Sequence, residues 1–368
     1  MYIQDTSIET VVEQIKQLPR TEHDTVFMLI GEHSIINISD LLDALKDQHI
    51  PVTGGIFPGV IYGNQKYETG IVATTLPMIA EPSIITGLDT PNFELSKPQF
   101  DRNTQQYTAL ILVDGLTKYI AMFLDKLFQQ LDNTVSYIGG GAGSLSFQQK
   151  PCVFDSHGIY QDAAIILWVK ASTKLGVRHG WQNSRGPHIA TRTEGNVVYE
   201  LDRKPAFEFY SQFIKMKTRQ TITHENFFDI AKEYPLGIYH PGVDRIVRDP
   251  ITFTEDGGLV CVGEVPMNTM VYILQGNKQH LIADARRAAT EATEQSHHNQ
   301  HNFIVDCISR VLFLEDDFNK ELEAVADALP DGTSKPFGVL SLGEIGTYGT
   351  GRVEFFNKTM VVGVLNAI

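Results

Sequence analysis

The sequence predicts an α/β protein of two domains, built of repeated β-α-β-β modules whose mixed sheets are flanked by helices. Three observations carry this reading. A strand–helix–strand–strand pattern recurs three times along the 368 residues. Its strands are continuous aliphatic runs such as ALILV, AIILWV and MVVGVL, the pattern of strands covered on both faces. Its helices carry one apolar stripe at a spacing of three and four residues.

The first copy reads TVFMLIGE (Thr25–Glu32), ISDLLDALKDQH (Ile38–His49), PVTGGIFPGVIYG (Pro51–Gly63) and TGIVATTL (Thr69–Leu76). Ile38, Leu41, Leu42 and Leu45 share a helical face there, with Asn37 or Ser39 as N-cap. The second reads YTALILVDG (Tyr107–Gly115), YIAMFLDKLFQQLD (Tyr119–Asp132), VSYIGGGAGS (Val135–Ser144) and DAAIILWV (Asp162–Val169). Its stripe is Ile120, Phe123, Leu124, Leu127, Phe128 and Leu131. The third reads FIVDCISRVLF (Phe303–Phe313) as a strand, FNKELEAVADAL (Phe318–Leu329) as a helix, then FGVLSLGEIGTYGTG (Phe337–Gly351) and TMVVGVL (Thr359–Leu365). Strands at Ser83–Leu88 and Leu175–Trp181 extend the first two units, which span 25–88 and 107–181; the last spans 303–366.

A domain boundary is expected in NSRGPHIATRTEGN (Asn183–Asn196), dividing 1–192 from 193–368. Beyond it come a strand, a helix, a long loop (231–249), a hairpin turning at Asp256-Gly257-Gly258, the strand VYILQG and a solvent-rich helix. In each module the second strand breaks at glycines: Gly54 and Gly55, Gly139 and Gly140, and Gly343 before Glu344. Such breaks are expected to turn backbone, not side chain, toward a ligand.

Thirty basic against 44 acidic residues give a net charge of −14, which excludes broad binding to nucleic acid or anionic membrane. No apolar run of membrane-spanning length occurs, and MYIQDTSIETVVEQIKQ reads as a short amphipathic helix rather than a signal peptide. Cys152, Cys261 and Cys307 are widely spaced, as expected of reduced core thiols in a cytoplasmic protein. Neither Gly-x-Ser-x-Gly nor a Walker A loop is present, and no nucleophile–base pair stands out, so an enzyme is not expected.

Several peptides, in order, resemble the FIST family: GGGAGS (Gly139–Ser144), GVRHGWQ (Gly176–Gln182), TEGNVVYELDRKPAFEFY (Thr193–Tyr210), YPLGI (Tyr234–Ile238), VRDPITFTEDGGLVCVGEVP (Val247–Pro266) and GEIGTYG with FFNKTMVV (Gly343–Val362). The resemblance implies an N-terminal and a C-terminal FIST domain and a role as an intracellular sensor. GGIFPGVI (Gly54–Ile61) and GGGAGSLSFQQKPC (Gly139–Cys152) are similar to the NosP branch of that family. That branch implies haem b held through a histidine, nitric oxide as gaseous ligand, and regulation of a partner histidine kinase in biofilm control. The duplicated units also suggest a homodimer.

On the haem reading, the candidate axial ligands are His179 beside Trp181, His240 beside Tyr239, His157 and His188, with His179 or His240 on the iron. Structural roles for the same residues are a strand-end histidine, a solvated loop, a hairpin turn and an interdomain segment. Arg248, before Asp249 and Pro250, either clamps an anionic group such as a haem propionate or an amino-acid carboxylate, or pairs with Asp249. Asn357 is a turn residue or a pocket hydrogen-bonding group. His297 and His301 stand four apart on an expected helix, with no third ligand evident. The alternative to haem is a FIST sensor that binds a small anionic metabolite such as an amino acid through Arg248 and backbone N–H groups.

Overall fold

The structure, a computed structural model, describes residues 1–96, 98, 107–240, 244–294, 300–330, 335–348 and 351–367. The first module comprises β1 (Tyr2–Ile3), α1 (Ile8–Lys16), β2 (Asp24–Gly31), α2 (Ile38–Asp47), β3 (Val52–Phe57), β4 (Gly59–Tyr62), β5 (Gln65–Tyr67) and β6 (Ile71–Pro77). The second comprises β7 (Ser83–Thr86), β8 (Thr108–Asp114), α3 (Ile120–Leu131), β9 (Ser136–Ala142), β10 (Val153–Asp155), β11 (Gly158–Tyr160) and β12 (Ala163–Val169). The third begins with β13 (Ala171–Arg178) and is then interrupted. The inserted segment holds β14 (Gln182–Glu194), β15 (Val197–Leu201), β16 (Lys204–Pro205), α4 (Ala206–Thr218), α5 (Phe227–Ala231), β17 (Leu236–Ile238), β18 (Ile246–Phe253), β19 (Leu259–Val262) and β20 (Met270–Gln275). The third module resumes with α6 (Lys278–Thr293), β21 (Gln300–Cys307), α7 (Ile308–Leu314), α8 (Phe318–Ala326), β22 (Phe337–Ser341), β23 (Glu344–Tyr348), β24 (Arg352–Phe356) and β25 (Met360–Ala367).

The fold is mixed α/β, and its three module sheets have one topology. Their strand orders are β1-β6-β2-β3-β10-β11, β7-β12-β8-β9-β23-β24 and β13-β25-β21-β22-β4-β5. In each, two parallel strands (β2–β3, β8–β9, β21–β22) carry an antiparallel return strand on one side. On the other side each sheet is finished by a hairpin from a different module. β10–β11 of the second module completes the first sheet, β23–β24 of the third completes the second, and β4–β5 of the first completes the third. The hairpins therefore pass round a closed cycle of three.

Strand alternation then sorts the side chains. Phe27 and Leu29, Leu110 and Leu112, and Phe303 and Val305 point into one shared core, where Phe27 and Phe303 meet edge-on at 5.7 Å. The intervening residues face the outer helices: Met28 under α1 and α2, Ile111 under α3, Ile304 under the helices of the third module. Both faces are buried, which is why these strands read as unbroken aliphatic runs. Asn37 caps α2, accepting from the Ser39 and Asp40 N–H groups at 3.0 and 3.4 Å.

The inserted segment forms a barrel. Its sheet runs β14-β20-β17-β18-β19-β15-β16, and β14 also pairs with β15, so six strands close on themselves. Asn183–Asn196, expected to be a domain boundary, is thus mostly strand, and β14 serves both edges of the closure. The expected long loop 231–249 contains β17 and the start of β18. The hairpin at Asp256-Gly257-Gly258 is present, with Gly257 at φ +84°.

Other expectations change. Ser83–Thr86 does not extend the first module but pairs as β7 with β12 in the second sheet, and β13 does not extend the second but pairs with β25 in the third. Ile308–Leu314 is helix, because the strand Phe303–Phe313 was expected to occupy ends at Cys307. His301 lies in β21 rather than on a helix, and His297 and His298 lie outside the described residues. The helix taken as solvent-rich buries Ala285, Ala288, Ala289 and Ala292, and its backbone comes close enough that a Cβ on Gly176 would meet the Ala288 carbonyl oxygen at 1.8 Å.

The glycines have a packing role. Gly54, Gly139 and Gly338 stand in register with Met28, Ile111 and Ile304. A Cβ at each would lie 1.9, 1.8 and 1.9 Å from the carbonyl oxygen of that partner. The third-module counterpart is therefore Gly338, not Gly343. Gly55 is closed over by the Phe57 ring, and Gly140 faces Val305 and Ser341. These glycines sit within strands, so the expectation that they bare backbone to a ligand is corrected.

Hairpin exchange predicts that neither 1–192 nor 193–368 folds alone. Expressed apart, each should lack a cooperative thermal transition; refolded together, they should recover near-ultraviolet circular dichroism. Independent cooperative melting of either fragment would contradict the exchange.

Candidate functional site

A cavity of about 380 Å³ opens where the barrel meets the second and third modules, a volume within the range of small-molecule sites. Its floor is the carboxyl end of parallel strands: Gly115 follows β8, and Cys307 ends β21. Ligand crevices of open α/β sheets form at such ends. Apolar walls come from Leu116, Ile120, Phe147, Phe228, Ile251 and Phe355. Phe147 is half-exposed and held at φ +54°, on the loop between β9 and β10.

The polar groups cluster on the barrel side. Arg248 on β18 is only 7% exposed and lines the cavity. Its Nε donates to the Glu264 carbonyl at 2.8 Å, and Nη1 to the carbonyls of Val247 and Phe355 at 3.0 and 3.1 Å. Among the described residues Nη2 has no hydrogen-bond partner, and no carboxylate lies within ion-pair distance. Burial lowers the pKa of this guanidinium, opposed by the more distant charges of Glu354 and Glu264. A buried cation without an adjacent counter-charge is costly, and an anion at Nη2 would offset that cost.

Asp249 does not pair with Arg248. Its Oδ2 accepts from Ser309 at 2.8 Å and meets Lys358 Nζ at 3.1 Å, while Oδ1 is buried without a partner. Burial pushes the Asp249 carboxyl up, opposed by Lys358. Lys358 is fully buried at φ +54°; its amine also donates to the Lys232 carbonyl at 3.0 Å and stands 4.9 Å over the Trp181 ring. Asn357 is both turn residue and lining residue, 2% exposed, with Oδ1 buried and unpartnered. Among the described residues, Arg248 Nη2 is thus a donor without a protein partner, and Asp249 Oδ1 and Asn357 Oδ1 are buried acceptors without one.

Cys261 and Cys307 line the cavity, and Cys152 lies in the core; all three are free and buried. Burial pushes the Cys261 thiol up to about 12 and the Cys307 thiol well above its usual value. Burial thus favours the thiol form of both.

The structure brings Arg248 and Asn357 to the cavity but not the candidate histidines. His179 is buried, accepts from the Trp181 N–H through Nδ1 at 2.9 Å, and leaves Nε2 unpartnered. Burial lowers its pKa to about 4, so it is neutral. His188 pairs with Asp202 at 2.6 Å and packs edge-on against Phe209. His157 is exposed in the β10–β11 turn. His240 follows β17, with Nδ1 buried and unpartnered. None of these four lines the cavity, and neither do Gly54, Gly55, Gly139 or Gly140. The cavity therefore does not present the imidazole that the haem reading assigns to the iron.

Asp249, Lys358, Phe147 and the segment Gly115–Ala121 were not singled out as ligand groups from sequence. The signal available was Lys358 itself, a charged residue inside the apolar stretch FFNKTMVV.

Comparison with known families agrees with the motif order. The model of the FIST N domain matches residues 24–204, and that of the FIST C domain matches 206–347. The chain belongs to the FIST family. FIST N and FIST C domains are sensory domains that take small ligands. No curated protein matches the chain. The two matched ranges meet at the start of α4, inside the barrel, and the cavity draws on both: Gly115–Ala121 and Phe147 from the first, Arg248–Ile251 and Cys307–Ser309 from the second.

Just behind Cys307, Glu344 is fully buried, accepting from Ser341 Oγ at 2.7 Å and from the Thr359 N–H at 3.1 Å. Burial raises its pKa from 4.5 to about 8. The folded state thus holds a proton that the unfolded state releases, so stability from Glu344 is full below 4.5 and lost as pH rises to 8. The lowered His179 acts oppositely, losing stability as pH falls from 6.5 to about 4. Between pH 6.5 and 8 Glu344 acts without that opposition, and urea midpoints should fall across this window. Glu344→Gln should flatten the decline; an unchanged slope would show that another group causes it.

Proposed function

We propose that this FIST protein is a regulatory sensor that captures a small anionic metabolite, such as an amino acid, in the cavity between the barrel and the two adjoining modules. The observation that carries the reading is Arg248, a cavity-lining guanidinium 7% exposed that has, among the described residues, no partner for Nη2 and no carboxylate within 4 Å. A ligand carboxylate supplies the missing counter-charge, and an amino group or hydroxyl on the same ligand supplies the hydrogens for Asp249 Oδ1 and Asn357 Oδ1. Apolar walls hold the remainder of the molecule and exclude water, which strengthens both polar contacts.

Haem and nitric oxide do not enter this reading, because none of the four candidate histidines lines the cavity. The signal is a change in how the barrel sits against the modules, received by a protein partner such as the histidine kinase that the NosP resemblance implies. The free, buried cysteines fit a reducing compartment, and we place the protein in the cytoplasm. Among the described residues no helix is long and apolar enough to cross a membrane.

The test is thermal unfolding against a panel of amino acids and small carboxylates. A binder present at about 100 times its Kd should stabilise the chain by roughly 2.7 kcal/mol. Arg248→Gln should abolish that stabilisation, whereas His179→Gln should not. Stabilisation unchanged in Arg248→Gln would overturn the reading. So would a sharp Soret band on haem addition that Arg248→Gln leaves intact and a histidine substitution removes.

A further inference from the structure

We propose that the cavity contains a second anion site, at the N-terminus of α3, and that the metabolite it selects carries two anionic groups. This rests on the reading that Arg248 takes the first of them.

The first turn of an α-helix leaves backbone N–H groups without intrahelical partners, and the helix dipole makes that end attractive to negative charge. In α2, the equivalent helix of the first module, Asn37 fills this place. In α3, of twelve residues, it is unfilled. The N-cap Tyr119 offers no side-chain hydrogen bond, and the first turn holds no acidic residue. Ile120 and Ala121, which open the helix, line the cavity. Lys118 lines it too, as an exposed cation at the rim.

An uncapped helix end alone does not define a site. The independent observation is that the same cavity is lined by Asn357, 2% exposed with Oδ1 buried and unpartnered, and by Arg248, 7% exposed, whose hydrogen bonds among the described residues are made by Nε and Nη1 alone. Arg248 stands on the barrel wall, the α3 terminus on the wall of the second module. Leu116, Ile120, Phe147 and Phe355 line the cavity beside them. The acids among its lining residues are Asp249, held by Lys358 and Ser309, and Glu264, whose carboxyl is pushed up by burial. The α3 end therefore faces the cavity without an adjacent acid on its own turn. A molecule with an anionic group at each end and a short apolar or hydroxylated middle matches both poles. The second group is a carboxylate or a phosphate-like head, since either accepts from helix N–H groups.

The experiment is calorimetric titration of the full chain with malonate, succinate, glutarate and adipate, each against the monocarboxylate of equal length, and with phosphonoacetate and phosphonopropionate. At least one two-headed compound should bind roughly tenfold tighter than its single-headed match, the size expected for an anion at a helix N-terminus in a partly buried setting. Whether dicarboxylates or phosphonates show the larger gain identifies the second head. Ala121→Asp places a fixed carboxylate at the site and should erase the advantage; Ala121→Asn, of the same shape without charge, should keep it. Melting of the unliganded variants checks that both fold, and Lys118→Gln, at an exposed position, should lower the advantage by itself. Equal affinity for one- and two-headed compounds overturns the second site and leaves the Arg248 reading standing. An advantage untouched by both Ala121→Asp and Lys118→Gln overturns its placement at α3. No carboxylate binding at all overturns both.

Discussion

None of the three module sheets is complete without two strands from another module. That exchange is the constraint on which the remaining architecture depends. Each hairpin must leave its own parallel pair and dock on the outer side of the next one, so β3, β9 and β22 are central strands with neighbours on both sides. They approach β2, β8 and β21 so closely that Gly54, Gly139 and Gly338 admit no Cβ. The same cycle gathers the carboxyl ends of β8 and β21 and brings the end of β24, with Phe355 and Asn357, against the barrel. The cavity is thus a product of long-range pairing and belongs to no single module.

Buried charge marks the seam between barrel and modules. Arg310, wholly buried, meets Asp306 at 3.2 Å, pairs with Glu321, and donates to the carbonyls of His179, Lys358 and Leu281. It thereby ties both strand ends that flank the barrel to the start of α6. Buried pairs of this kind add little net stability over an apolar substitute, yet removing one partner typically costs about 3–5 kcal/mol. Their value lies in fixing one arrangement of segments that are distant in sequence. Lys358 acts in the same way between Asp249 of the barrel and the β24–β25 turn. Arg248 differs from both. Arg310 and Lys358 each have a carboxylate within 4 Å, whereas Arg248 is held by three carbonyls. Two buried cations are satisfied by the fold and one is not, and that asymmetry is what distinguishes the ligand site from the structural network.

Local signals in the sequence were readable where local physics decides. Helical stripes predicted α2 and α3, Asn37 capped as its residue type suggests, and aliphatic runs marked the doubly covered strands. Arg248 was visible as a charged residue at the end of an apolar strand. The exchange was not legible, because a hairpin has the same alternation whichever parallel pair it joins. The glycines misled for a related reason: a position that must admit a neighbouring carbonyl and one that must admit a ligand call for the same residue. Ile308–Leu314 reads as aliphatic strand, but the central strand β21 ends at Cys307 and the chain turns there into helix. His179 carried the family motif and a suggestive setting beside Trp181, but its Nδ1 is committed to the Trp181 N–H and it is not among the cavity-lining residues.

The placement of the cavity also says what a bound metabolite can change. Its walls belong to two bodies joined through Gly180, at φ +79°, and Gly276, whose missing Cβ leaves room for Trp181 and Phe313. Arg248 to Phe355, Asp249 to Ser309 and Lys358, Lys358 to the Lys232 carbonyl, Lys232 to Glu315 and Arg178 to Asp244 are among the polar contacts that cross between them. A molecule held at once by barrel and module adds to these contacts only in the closed arrangement. On the proposed reading it would shift an equilibrium toward closure by its difference in affinity for the two arrangements, and by no more than that. A small molecule touching the barrel alone would bind without signalling. On the proposed reading, selectivity and signal have one origin: the anionic group on Arg248 anchors the metabolite to the barrel, and contact with the second and third modules converts that anchoring into a change of shape.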